Sequence, residues 1–155
     1  MLLFRFICAI FLAWSVNVAL ARPEATSLLT EAPDFAVMGP IAAAFVGFVN
    51  LARRQGWGVI VAVANGIWSG ILTIFVAIFL YLFAVPVLRN WLVIDHFDDF
   101  MRIVSQSLEP LLAELADAQL LIVIMAATAI VGVVTEVIHW SLVRLLRSKL
   151  HPDDD

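Results

Sequence analysis

The chain has 155 residues, of which 63% are hydrophobic and only 14% are charged. A soluble domain averages about 45–50% apolar and about 25% charged residues, so this composition is typical of a membrane protein. The net charge of −4 and the scattered positions of nine basic residues argue against a nucleic-acid partner. The single cysteine, Cys8, excludes an intrachain disulfide and a cysteine-based metal site.

The first apolar run covers residues 2–21 and carries Arg5 near its start. It is long enough to cross a bilayer, which takes about 20 apolar residues. A basic start, an apolar centre and the small residues at 19–21 are also features of a cleaved signal peptide. We expect a retained helix, because residues 22–23, arginine and proline, would make a poor start for a mature protein. Cleavage is the alternative.

The next segments predict a helical hairpin. Residues 22–34 contain two prolines and three acids, so we expect a loop there. Residues 35–52 form the second predicted span, and Pro40 lies within its first turns, where a missing N–H costs little. A connection with two arginines at 53–56 then leads into the longest apolar run, residues 57–88, which has no charged residue. So short a connection allows only antiparallel helices.

The second half of the chain predicts one surface helix and one more span. Between residues 97 and 115 the apolar side chains recur at helical spacing, which indicates an amphipathic helix at the bilayer surface or over the bundle. Pro110 should bend or break this helix. Residues 118–143 form the last span, and residues 144–155 form a polar tail. The sequence therefore predicts a single all-α domain, an integral membrane bundle of four transmembrane helices plus one interfacial amphipathic helix.

The distribution of basic residues predicts the orientation. Arginine and lysine are concentrated at 53–54 and at 144–149, whereas residues 89–117 hold two basic residues among six acids. Basic residues are retained on the cytoplasmic side of a membrane. We therefore expect both basic clusters and both chain termini in the cytoplasm, with the amphipathic helix on the outer side.

Small residues recur every four positions on the second and third predicted spans. This spacing lets helix backbones approach closely in lipid, so we expect these residues to pack helices together. The two stripes are expected to face each other across the hairpin, and the alternative is that one binds another protein or another copy. The stripes are Gly39, Ala43 and Gly47 in the second span, and Ala62, Gly66 and Gly70 in the third.

Glu136 is the only acid inside a predicted span, and such a residue is a functional candidate by default. Its depth matches that of Asn65 on the cytoplasmic half of the bundle, so we predict an intramembrane polar cluster there. Asn50 and one of the two arginines, Arg53 and Arg54, would complete it. A hydrogen bond or ion pair that ties the helices together is the favoured interpretation. Proton or cation binding is the alternative.

Other chemistry has weaker support. Residues 95–99 combine three aspartates and a histidine, a composition that would suit a hard cation or zinc. Capping of the following helix is the simpler interpretation, and we expect no metal site. The sequence contains no nucleophile motif and no phosphate-binding loop, so we expect neither enzymatic activity nor a cofactor.

Several features follow one another in an order that is similar to a known family. They are the short basic turn of the hairpin, Asn65-Gly66 followed by Trp68 and Gly70, the acidic amphipathic segment, and a glycine-containing helix that closes on Thr135-Glu136 and Trp140. In these features, over about two thirds of the chain, the protein resembles the TrgA-like family of small alphaproteobacterial membrane proteins. Residues 95–99 and the acidic tail depart from the family pattern. The resemblance implies an inner-membrane protein linked to tellurite tolerance.

These patterns favour a non-enzymatic accessory protein of the bacterial inner membrane. Its partners would be the lipid bilayer and other membrane subunits. It would serve either as a small subunit or assembly factor of a larger membrane complex, or as an envelope factor for tellurite tolerance. The alternative is a small transporter or ion-conducting protein that works through Asn65 and Glu136.

Overall fold

The computed structural model describes residues 2–90 and 97–150, and within these ranges the chain is helical, with no strand. Four helices are long and apolar enough to cross a membrane. These are α1 (Leu2–Leu20), α3 (Phe35–Val49, extended by a 3-10 turn at Leu51–Arg53), α4 (Val59–Asn90) and α6 (Ala118–Leu150). Two further helices, α2 (Thr26–Glu31) and α5 (Phe97–Leu115), connect them. The predicted all-α bundle is confirmed.

The four long helices run antiparallel to their neighbours. The ring of Phe4, at the start of α1, lies 5.3 Å from that of His139 near the end of α6. At the other end of the bundle, Phe35 at the start of α3 lies 6.2 Å from Tyr81 of α4. The start of α1, the connection at 51–58 and the last turns of α6 therefore share one end, which we call the basic end. The opposite end, where α2 and α5 lie, is called the α5 end.

The outer surface of the bundle is apolar on all four long helices. Large hydrophobic side chains that are exposed include Phe6, Ile10 and Trp14 of α1, Ile41 and Phe45 of α3, Phe75 and Phe79 of α4, and Ile122 and Ile130 of α6. A water-soluble protein does not expose so many large apolar side chains in contiguous patches. The bundle is therefore suited to a lipid environment, as a multi-pass membrane protein.

The small-residue stripes pack against α1 and α6, not against each other. On α3, where Gly39 and Ala43 are also buried, a Cβ atom on Gly47 would lie 2.7 Å from the carbonyl oxygen of Cys8 in α1. A Cβ atom on Gly66 of α4 would collide with the carbonyl oxygen of Thr128 in α6. The prediction that the stripes face each other across the hairpin is wrong, because small residues set how closely a helix is approached and not which helix approaches it.

Both helices have glycines where α4 and α6 are in contact. A Cβ atom on Gly132 of α6 would collide with the carbonyl oxygen of Ala62, which is itself buried. Gly70 faces the side chain of Thr128, whose Oγ1 would lie 2.5 Å from an added Cβ atom. Residues 62 and 66 thus pair with residues 132 and 128, which is the register of two antiparallel helices in backbone contact.

The segment at 22–34 is more ordered than a loop. It forms a 3-10 helix at Pro23–Ala25, which packs against α1 and α6, followed by α2, which packs against α5, and both Ala25 and Leu28 are fully buried. The amphipathic helix α5 has the predicted bounds, and it packs Leu111 and Leu115 against the bundle. Its backbone remains helical through residue 110, contrary to the predicted break.

The continuity of α5 has a simple cause. Proline at position 110 removes one hydrogen bond to the carbonyl of Gln106. Gln106 lies on the exposed side of α5, so the missing hydrogen bond lies away from the buried face. The 19 residues of α5 form about five turns, in which only this one hydrogen bond is missing, and packing of the apolar face holds the helix together.

Helix α6 is longer than predicted. It continues through the basic residues to Leu150, because no glycine or proline interrupts the pattern and Val143, Leu145 and Leu146 extend it. Residues 144–150 are thus helix rather than tail. The remaining residues of the predicted tail, 151–155, and residues 91–96 lie outside the described part of the chain.

Candidate functional site

The carboxylate of Glu136 accepts three hydrogen bonds at the basic end of the bundle. The backbone N–H of Gly56 donates to Oε2 at 2.7 Å, and that of Gly58 donates to Oε1 at 2.9 Å. Trp140, one turn later on α6, donates its indole N–H to Oε1 at 2.9 Å. The side chain is 2% exposed. Glu136 therefore fastens α6 to the connection that precedes α4.

Two glycines give the connection the shape that this arrangement needs. Gly56 and Gly58 have φ values of +99° and +100°, a conformation that other residues rarely adopt. The carbonyl of Gly58 accepts the N–H of Ala62, so Gly58 is the cap residue of α4. The Glu136 carboxylate thus lies at the positive end of the α4 dipole, where a negative charge is stabilised. These glycines also make α4 begin at Val59, two residues later than predicted.

The two asparagines of the predicted cluster make separate hydrogen bonds. Asn65 donates from Nδ2 to the carbonyl oxygen of Arg54 at 2.8 Å, which ties the connection to α4. Asn50 donates from Nδ2 to the hydroxyl oxygen of Ser69 at 3.3 Å, which ties the end of α3 to α4. The two asparagines therefore stabilise two different contacts at the basic end of the bundle.

The predicted single cluster is only partly correct. The structure brings Asn50, Asn65 and Glu136 to the basic end, but it does not join their side chains. The side chains of Arg53 and Arg54 are exposed, and in the described part of the chain neither pairs with Glu136. Backbone N–H groups take the place of the arginine, because they already point at the carboxylate and carry no charge that would have to be buried.

Sequence reasoning missed four members of this site: Gly56, Gly58, Trp140 and Ser69. The signal for the glycines was a Gly-Trp-Gly sequence between a basic turn and a helix, since glycines there permit positive φ. The signal for Trp140 was its spacing of four residues from Glu136, which places both on one helix face. The bond from Asn50 to Ser69 had no such signal, because it depends on how α3 and α4 pack.

The buried hydroxyl groups deeper in the bundle bond to their own helices. Thr73 donates to the carbonyl of Ser69 at 2.8 Å, and Thr128 donates to that of Met125 at 3.1 Å. Thr135 donates to the carbonyl of Val131 at 2.8 Å. Hydroxyls satisfied in this way do not need a ligand or a water chain.

Two grooves of about 450 and 430 Å³ flank the exposed ring of Trp140. Arg144 borders both, and Arg147 borders the second. A tryptophan with arginines one to two turns beyond it is typical of a helix that leaves the bilayer at the headgroup level. The basic end therefore has the composition expected at a membrane–water interface.

Acidic residues at the start of α5 have a local role. Asp99 forms an ion pair with Arg102 at 2.9 Å, and Asp98 also lies in the first turn. Asp95 and His96, which the sequence also offered as possible metal ligands, lie outside the described residues. Among residues 2–90 and 97–150, no group of three or more metal-binding side chains is close enough to hold an ion.

Comparison with known proteins adds no relative to this picture. The chain matches no protein-family model, no curated protein and no solved structure.

Proposed function

We propose that this protein is a non-enzymatic accessory protein of the bacterial inner membrane, a small subunit or assembly factor that acts by binding a larger membrane complex. The observation that carries the proposal is the state of Glu136. Both of its oxygens are occupied by donors from the connection and from Trp140. A carboxylate committed to holding two helices together is not available to carry a proton or a cation across the membrane.

The outer half of α4 offers the contact surface for such a complex. Phe75 and Phe79 lie one turn apart on the α5 half of this helix, and their side chains are 67% and 58% exposed. Aromatic side chains supply large contact areas, and phenylalanine is among the residues enriched at the core of protein interfaces. We place the partner against this pair of phenylalanines.

A basic end in the cytoplasm and an α5 end outside form part of the proposal, because basic clusters are retained on the cytoplasmic side. The link to tellurite tolerance rests on the TrgA-like resemblance alone. In this version the protein supports the envelope against oxyanions through the complex that it binds.

The decisive experiment is co-purification from native membranes in mild detergent. We expect one membrane complex to accompany the tagged wild-type protein and to be lost from a Phe75→Ala/Phe79→Ala variant. The matched control is Ile41→Ala/Phe45→Ala on α3, where two exposed apolar residues are also one turn apart. Equal loss from both variants would remove the assigned surface, and a monodisperse wild-type protein without any partner would contradict the accessory role.

Transport makes the opposite prediction for Glu136 and Asn65. If the protein conducts ions, a Glu136→Gln change in reconstituted vesicles abolishes flux, and Asn65→Ala weakens it. If it is an accessory protein, wild-type vesicles carry no flux above empty vesicles. Growth of a deletion strain on tellurite, with and without the Phe75→Ala/Phe79→Ala variant, then tests whether tolerance depends on the partner contact.

A further inference from the structure

A groove of about 420 Å³ runs between α1 and α6 at the α5 end of the bundle. It is independent of the Glu136 site, which lies at the basic end. The walls are formed by Trp14 and Val18 of α1 and by Ala127 and Ile130 of α6. These side chains are apolar, and three of them, Trp14, Val18 and Ile130, are exposed on the outer surface of the bundle. The groove therefore has an apolar lining and a volume that suit one acyl chain.

The mouth of the groove is polar and carries both signs of charge. Arg22 and Glu24, in the segment after α1, border it. One carboxylate oxygen of Glu24, Oε2, is buried and has no hydrogen-bond partner. Arg22 is exposed, and no ion pair joins it to Glu24 in the described part of the chain.

A carboxylate with a buried oxygen that lacks a hydrogen-bond donor is suited to bind a cation that can donate one. An anionic oxygen removed from water without a donor carries a free-energy penalty, which a charged N–H donor would remove. Arg22, two residues earlier, offers planar N–H donors suited to a phosphate. A ligand that carries an ammonium and a phosphate a few atoms apart, with an acyl chain attached, satisfies every part of the groove.

We propose that this groove binds phosphatidylethanolamine. The ammonium of the headgroup donates to the carboxylate of Glu24, and the phosphate accepts from the guanidinium of Arg22. One acyl chain lies between α1 and α6 along the apolar walls. Phosphatidylcholine lacks an N–H donor, and phosphatidylglycerol lacks the cation, so neither satisfies Glu24. Trp14 forms part of the wall beside this acyl chain.

The test uses the full-length protein in phosphatidylcholine vesicles that contain increasing fractions of brominated-chain phosphatidylethanolamine. Bromine quenches tryptophan fluorescence on contact, and Trp14 lines the groove. We expect quenching at a lower lipid fraction than with brominated phosphatidylcholine or phosphatidylglycerol. The difference should disappear in Trp14→Phe, which removes the reporter. Glu24→Gln should weaken the preference about tenfold, the ratio expected for loss of one charge-assisted hydrogen bond.

The control is Glu109→Gln, an exposed acid of α5 that has the same charge change and does not line the groove. It should keep the preference for phosphatidylethanolamine. Arg22→Gln, at an exposed position, provides a second variant if Glu24→Gln does not fold, and it should also reduce the preference. Equal quenching by all three lipids, retention of the preference in both groove variants, or its equal loss in Glu109→Gln would overturn the proposal. Displacement of the lipid by soluble phosphoethanolamine would replace it with a site for the free headgroup compound.

Discussion

The two closest helix contacts of the bundle are built differently. Between α1 and α3, glycine lies on one helix only, and Gly47 faces the backbone of Cys8 and Ala9. Between α4 and α6, both helices contribute glycines, and Gly66 and Gly132 each face the other helix's backbone. The second contact also ends in the hydrogen bonds of Glu136, whereas the first has no comparable polar fastening among the described residues.

This difference shows how close packing and polar fastening can be combined. In lipid there is no hydrophobic driving force between helices, so association depends on dispersion contacts and weak hydrogen bonds. Backbone contact at Gly66 and Gly132 sets the distance between α4 and α6. The carboxylate of Glu136 then fixes their register, because its hydrogen bonds are lost if the helices slide by one residue.

The largest expected effect comes from filling the α4–α6 contact. Gly66→Leu places four heavy atoms where even a Cβ atom would collide with the carbonyl of Thr128. Overpacking typically costs about 1–3 kcal/mol, and a direct clash with the backbone of α6 should exceed that range. We expect loss of monodisperse protein after extraction in mild detergent. The control is Ala64→Leu on the exposed face of the same helix. Normal yield of Gly66→Leu would show that α4 and α6 are not in backbone contact.

Loss of the hydrogen bonds of Glu136 should cause the second-largest loss of stability. Glu136→Ala leaves the N–H groups of Gly56, Gly58 and Trp140 without their acceptor. Hydrogen bonds to a charged group contribute about 1.5–3 kcal/mol each, and water can replace part of that at an interface, so we expect a loss of about 3 kcal/mol. The thermal midpoint in detergent measures it. The control is Ser141→Ala, an exposed hydroxyl bonded within its own helix. Equal midpoints for the two variants would mean that Glu136 does not join α4 to α6.

Much of the fold could be predicted because hydropathy and periodicity are local properties. The amphipathic pattern gave α5 its bounds, and the apolar runs gave the four spans. The same reasoning could not assign partners to Gly47 and Gly66, since a small side chain permits close approach from any neighbour. It also paired Glu136 with an arginine. Backbone N–H groups, which hold this carboxylate, are present in every residue and so give no pattern in the sequence. Only Gly56 and Gly58 indicate where they bind it.

The contact between α1 and α3 should respond in a graded way to added methyl groups. In Gly47→Ala the new Cβ atom would lie 2.7 Å from the carbonyl oxygen of Cys8, so backbone must move. In Gly39→Ala the nearest atom is the end of the Leu20 side chain at 3.1 Å, which can move aside. We expect Gly47→Ala to cost about 2 kcal/mol and Gly39→Ala less than about 0.5 kcal/mol. Thermal midpoints in detergent compare them. Equal midpoints would mean that α1 does not touch α3 at Gly47.

A somewhat smaller effect than that of Gly47→Ala is expected at the cap residue of α4. Gly58 has a φ of +100°, and an added Cβ atom would meet nothing within 4 Å, so Gly58→Ala tests backbone conformation without any steric clash. A residue with a side chain in this region costs about 1–2 kcal/mol. The loss should be smaller than that of Glu136→Ala, because the N–H of Gly56 and the indole of Trp140 still reach the carboxylate.

The double variant Gly58→Ala/Glu136→Ala sharpens this prediction. If the positive φ of Gly58 serves to position its N–H for the carboxylate, removing Glu136 allows the connection to relax. The double variant should then lose less stability than the sum of the losses of the two single variants. The measurement is again the thermal midpoint of each variant in the same detergent. Full additivity would show that Gly58 shapes the connection for a reason other than Glu136. The register of α4 and α6 would then depend on their glycines alone, and the two helix contacts would differ only in closeness.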